Sequence, residues 1–252
     1  MKHEIQDKLK HISQEEHINF LLAVESGSRA WGFPSPDSDY DVRAVFIRPQ
    51  QAYLSIEEPK STFEYIENQW FDVGGWDLRK VLQLLRKSNA VLLEWFNSPI
   101  VYQQQEVFVK DISPLLNEYF QVAPIVHHYR GIAKNALSQL DLNHEIKLKK
   151  WFYVLRPLLA ADWAAKKKTI PPMNIFQLYL DLSNTLKAEI DELINLKATQ
   201  PESYLHQLSS TLIRFTHDIY NEIDNLQIIP ENRPLAVEPL NELFIKTLNR
   251  IR

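Results

Sequence analysis

Only five of the 252 residues are glycine, at positions 27, 32, 74, 75 and 131, and four of the five fall within residues 27–75. A chain uses glycine where its backbone must turn sharply or let another group approach closely. That cluster assigns the tight turns, and the site they serve, to the first third. Everything after Gly131 has to be built without glycine, which suits long helices joined at Pro and Asn.

The residue pattern agrees with this division. Phe20–Glu25 (FLLAVE) reads as a short strand buried on both faces, preceded by a polar N-terminal helix. A polar, Pro-containing loop covers Ser28–Ser38, and a second strand covers Asp41–Ile47, stopped by Pro49. Thr62–Val73 reads as one or two further strands, ending before a Gly74-Gly75 turn. Asp77 then stands as the N-cap of a helix whose apolar face is Leu78, Val81, Leu82 and Leu85. Ala90–Phe96 is a second short helix.

Beyond about residue 120 the period is helical. Ile125, Tyr129, Ile132, Ala133, Ala136, Leu137 and Leu140 form one stripe. Leu148, Trp151, Phe152, Leu155 and Leu159 form another, with Pro157 a candidate kink. Asn174–Lys197, Tyr204–Leu226 and Leu240–Ile251 supply three more helices. The expected fold class is α+β: a small mixed sheet with helices over residues 1–120, then an all-helical domain over 121–252.

Composition removes several functions. With 28 Lys+Arg against 32 Asp+Glu the net charge is −4, which argues against a chain coated in basic charge for nucleic acid. A hydrophobic share of 45% excludes a disordered tail. Zero Cys excludes disulfides, thiolate zinc sites and thiol nucleophiles. No apolar run exceeds five residues, and the N-terminus lacks the apolar stretch of a secretory signal. The expectation is a soluble, cytoplasmic protein with no membrane span.

Residues 25–43, ESGSRAWGFPSPDSDYDVR, carry the chemistry. A Gly27-Ser28 turn after a strand leaves N–H groups unhindered and adds a hydroxyl, as a phosphate requires. Asp39 and Asp41 are two apart at the mouth of the second strand, so alternation points both to one face, with Arg43 on the same side. Two carboxylates together are costly unless a cation compensates them, and Mg²⁺ suits one or two carboxylates plus phosphate oxygens. Phosphoryl or nucleotidyl transfer with two metal ions follows as the expectation.

Gly27-Ser28, ten residues, then Asp39-Tyr40-Asp41-Val42 resembles the signature of the DNA polymerase beta-like nucleotidyltransferase superfamily. ESGSRAWGF, DSDYDVR, GWDLRK, LLEWFNSPIVY and YVLRPLLAADW together resemble a bacterial nucleotidyltransferase family linked to RNA repair. The resemblance covers most of residues 20–180 and implies a third carboxylate on a later strand. Asp72, in the strand-like WFDV, is preferred; Asp77 is the rival, and Glu64 and Glu67 are further rivals. The implied roles place two Mg²⁺ ions, with Mn²⁺ as substitute, on Asp39, Asp41 and Asp72. Gly27 and Ser28 would hold the phosphates of an NTP, ATP favoured, with Arg29 and Arg43 neutralising charge. The implied acceptor is a hydroxyl at an RNA end. Transfer to a protein or small molecule, and a silent antitoxin-like binding partner, are the alternatives.

Residues 145–168 carry seven basic residues interleaved with aromatics, and Lys150, Tyr153 and Arg156 are the candidate nucleotide or acceptor contacts. Trp31 and Phe33 read as hydrophobic anchors of their loop. His127, His128 and His144 lack metal-ligand spacing and read as structural or exposed. Oligomeric state has no sequence signal.

Overall fold

The computed structural model describes residues 1–68, 70–231 and 235–251. In chain order the first elements are α1 (Lys2–Glu15), β1 (Asn19–Ser26), α2 (Ser28–Trp31), β2 (Tyr40–Ile47) and α3 (Gln50–Tyr53). Next come β3 (Thr62–Asn68), β4 (Phe71–Asp77), α4 (Leu78–Arg86), α5 (Ala90–Phe96), β5 (Val101–Gln104) and α6 (Glu106–Glu118). Then follow α7 (Val122–Leu137), β6 (Ile146–Lys147), α8 (Leu148–Lys167), α9 (Ile175–Leu178) and α10 (Asn184–Thr199). The last are β7 (Leu205–His206), α11 (Ser210–Asn225) and α12 (Glu238–Leu248).

The described residues form two compact units. One contains 1–27, 39–120 and 235–251; the other contains 28–38 and 121–231. In the first, five strands make a mixed sheet in the order β3-β4-β2-β1-β5. β2 and β4 run parallel and the other neighbours antiparallel. β1 is an interior strand, between β2 and β5, and six of its eight residues are buried, as its apolar run requires. On α1, Ile5, Leu9 and Ile12 recur at helical spacing and pack with Phe20, Phe46, Phe63 and Phe71 in one core. The segment carrying α12 belongs to this unit: Phe244 meets the Tyr53 ring at 5.2 Å, and Lys246 and Arg250 both pair with Asp111.

Two features of this unit differ from the sequence expectation. Gly74 and Gly75 do not form a turn but lie inside β4. A Cβ on Gly75 would sit 2.2 Å from Phe63 Cε1, so this glycine serves close packing of a ring on the strand. β5 and α6 were not legible: β5 has four residues, too few to show a period, and α6 contains Pro114.

The second unit is built on α7 and α8. Phe33 and Phe152, both fully buried, stack at 4.8 Å, and the Trp31 ring meets Tyr153 edge-on at 5.4 Å. The 28–38 segment is thus anchored by its aromatics. α8 continues unbroken through Pro157. The expected helix over Asn174–Lys197 is divided into α9 and α10, because the Ser183 hydroxyl accepts from the Leu186 N–H and starts a new helix. The expected helix over Tyr204–Leu226 starts only at Ser210, where Ser209 caps it; Leu205 and His206 instead pair with Lys147 and Ile146. The unit is therefore helical apart from a two-residue ladder. Among the described residues no helix is long and apolar enough to cross a membrane.

Candidate active site

The parallel register of β2 and β4 sets Asp41 opposite Asp72 and Arg43 opposite Gly74. Alternation puts Asp41 and Arg43 on one face. The Arg43 Nη2 donates to Asp72 Oδ2 at 2.6 Å and to Asp41 Oδ1 at 3.4 Å. One guanidinium shared between two acids offsets their repulsion. Gly74 presents no side chain beneath it: an added Cβ would lie 3.6 Å from Arg43 Nη1.

β1 supplies the other flank. Gly27 has φ +76°, and a Cβ built there would lie 2.3 Å from Asp41 Oδ2. One residue before Ser26, the fully buried Glu25 accepts the Asp41 backbone N–H at 2.9 Å through Oε1, while Oε2 takes the Tyr102 hydroxyl. Ser98 donates to the Glu25 carbonyl at 2.6 Å. Sequence reading missed Glu25 as the clamp on the Asp41 main chain. Its signal was a single charge inside an otherwise apolar strand, which is costly unless satisfied.

The other expected residues divide. Asp39 is half-buried, one position before β2 begins. Asp77 is 3% exposed and caps α4, accepting from the Arg79 N–H at 2.8 Å and the Tyr53 hydroxyl at 2.6 Å. Burial pushes its carboxyl above the usual range, despite those hydrogen bonds. The side chain of Glu67 lies outside the described residues. Ser28 is buried, and its hydroxyl donates to Ser38 Oγ at 3.1 Å within the 28–38 segment. Arg29 donates to the Ser38 carbonyl.

Arg43 and Gly74 also form part of a groove of about 640 Å³ bounded by Ser26, Thr62, Glu64 and Trp76. At its aromatic end the Trp76 and Trp95 rings lie 4.0 Å apart and 30° from parallel. In the second unit, Lys150 and Tyr153 line another cavity. Arg156 does not join them: it is 4% exposed, donates to the Met173 carbonyl at 3.1 Å and lies over the Trp31 ring. His127 contacts Arg130 and His144 contacts Asp141, both local.

Among the described residues no three His or acidic side chains are gathered as a metal-holding group. The pair Asp41 and Asp72 still suits a hard divalent cation, since Mg²⁺ takes one or two carboxylates and completes its shell with phosphate and water. Asp72 Oδ1 is buried without a hydrogen-bond partner, an acceptor that such an ion would satisfy.

A small mixed sheet with a glycine turn beside strand-borne carboxylates is the arrangement of the polymerase beta-like nucleotidyltransferase class. Over residues 1–246 the chain matches the RlaP family, described as the RNA repair pathway DNA polymerase beta family, and it belongs to that family. It is 38% identical over 258 aligned residues, covering 100% of this chain and 98% of its relative, to the uncharacterized protein YcgL of Bacillus subtilis (strain 168). A nucleotidyltransferase-like protein from Exiguobacterium sibiricum 255-15 aligns over 98% of this chain and 80% of its own, at 11% identity. Its TM-score of 0.32 adds nothing to the assignment.

Proposed function

We propose that this protein transfers a nucleoside monophosphate from an NTP to a hydroxyl at an RNA end, releasing pyrophosphate. The observation that carries the reading is the facing of Asp41 and Asp72 across paired strands, joined by Arg43 and closed on one side by Gly27. Membership of an RNA repair pathway family supports RNA as the acceptor.

Asp41 and Asp72 would hold a divalent cation, with Asp39 as the remaining motif carboxylate. Such an ion, Mg²⁺ or Mn²⁺, supplies positive charge to the triphosphate and to the leaving pyrophosphate. The chain's own groups do the rest. Gly27 and Ser28 receive the β and γ phosphates, helped by Arg29. The acceptor oxygen attacks the α-phosphorus, the bond to pyrophosphate breaks, and Asp72 takes the hydroxyl proton. Arg43 keeps the Asp72 carboxylate aimed across the strand pair.

The test is transfer of label from each α-³²P-NTP, ATP first, to RNA and to polypeptide, with Mg²⁺ or Mn²⁺ and then with chelator. Asp41→Asn and Asp72→Asn are run in parallel. Label on RNA, lost in both variants, is the expected result. Label on polypeptide would move the acceptor to protein, and no label with any NTP would favour the silent-partner alternative.

A further inference from the structure

We infer that the cavity of about 700 Å³ in the helical unit is a binding site for single-stranded RNA, holding a phosphodiester and its ribose rather than a free nucleoside triphosphate. The inference rests on the reading of an RNA acceptor.

The chemistry of the walls carries it. Three lysines, 147, 149 and 150, stand at the start of α8, and Tyr153 lies one turn further on. Asn135, in the last turn of α7, and Gln139, just past the helix end, bring two amides to the same wall. An aromatic ring beside ammonium groups suits a stacked base on a charged backbone, and the amides can read a base edge.

Charge decides which nucleotide species fits. Lys149 is paired with Glu202, and Asp37 adds a further carboxylate to the wall. Among the described residues neither Lys147 nor Lys150 has an acidic partner. Three lysines against two carboxylates leave one net positive charge. That matches the single negative charge of a phosphodiester. A triphosphate, with about four negative charges, would meet two carboxylates and too little compensation. The same carboxylates accept hydrogen bonds, and a ribose 2′-hydroxyl can donate one where deoxyribose cannot.

The volume agrees, since small-molecule sites run from roughly 300 to 1,000 Å³. A nucleotide with part of its neighbour fits within that range.

The test uses the full chain carrying Asp41→Asn, without NTP, so that binding is read apart from turnover. Fluorescence anisotropy with a labelled 10-nucleotide single-stranded RNA is compared for this parent and for added Lys150→Glu, Tyr153→Ala or Lys10→Ala. The expected result is binding to the parent and to the Lys10 control, weakened at least tenfold by Lys150→Glu and by Tyr153→Ala. ATP should not displace the RNA, and the same DNA sequence should bind more weakly. Circular dichroism checks folding, and Tyr153→Phe keeps the ring and should restore affinity. Equal affinity in parent and variants, no RNA binding, or displacement by ATP would each overturn the inference. Loss of label transfer to RNA with this binding intact would instead overturn the proposed reaction.

Discussion

A methyl group on Gly27 would lie 2.3 Å from Oδ2 of Asp41, so the turn and the carboxylate occupy adjoining space. The glycine also holds φ +76°, which costs an L-residue about 1–2 kcal/mol. Gly27→Ala is therefore expected to displace the Asp41 side chain and reduce nucleotidyl transfer at least 100-fold. Steady-state kinetics beside a thermal melt would check this; wild-type kcat in a folded variant would refute the crowding.

Arg43 reaches two carboxylates because its planar fork presents several donors at once. Arg43→Gln should lower kcat about 100-fold with little change in fold. Arg43→Lys should recover only part of that, since an ammonium is a point charge. Equal activity of the Gln and Lys variants would mean that positive charge at this position is irrelevant.

Gly75→Ala tests packing rather than chemistry. The added Cβ meets the Phe63 ring inside a formed strand, and overpacking of this kind costs about 1–3 kcal/mol. For a chain of this size the melting temperature should fall by about 2–4 °C per kcal/mol. Phe63→Leu in the same chain should relieve the clash and recover stability lost through Gly75→Ala; no interaction between the two changes would contradict the contact.

Lys197 is 2% exposed, donates to Ser35 Oγ at 2.8 Å, and burial lowers its pKa from 10.5 to about 8. Between those values the unfolded chain binds the proton that the folded chain has released. Stability should thus rise with pH across about 8 to 10.5, while below 8 the buried charge remains a cost. Lys197→Met should lack that rise. Urea unfolding at pH 7, 8, 9 and 10 would check it, and parallel profiles would show that Lys197 does not titrate there.

The strands that bear the site were readable because each states its own burial. FLLAVE has no polar face apart from Glu25, and DVRAVFI begins with the acid that alternation aims. Asp77 was readable as a cap because capping is local, settled within two residues by the Arg79 N–H. Where helices start in the second half was less legible. Ser183 and Ser209 are the caps, yet an apolar period runs past both in the sequence.

What the sequence alone determined is a set of local patterns with local physical causes: a glycine turn after a first strand, a second strand with acids at its start, and an acid in the strand-like WFDV. Tertiary structure decided which groups meet. The parallel register of β2 and β4 brought Asp72 opposite Asp41, and Phe63 explains why Gly75 lies in a strand. Packing of Phe33 on Phe152 gave residues 28–38 to the helical unit, although they sit between two sheet strands in sequence. Pairing register and burial of a distant ring depend on which surfaces the whole chain can cover together, and no window of neighbouring residues contains that information.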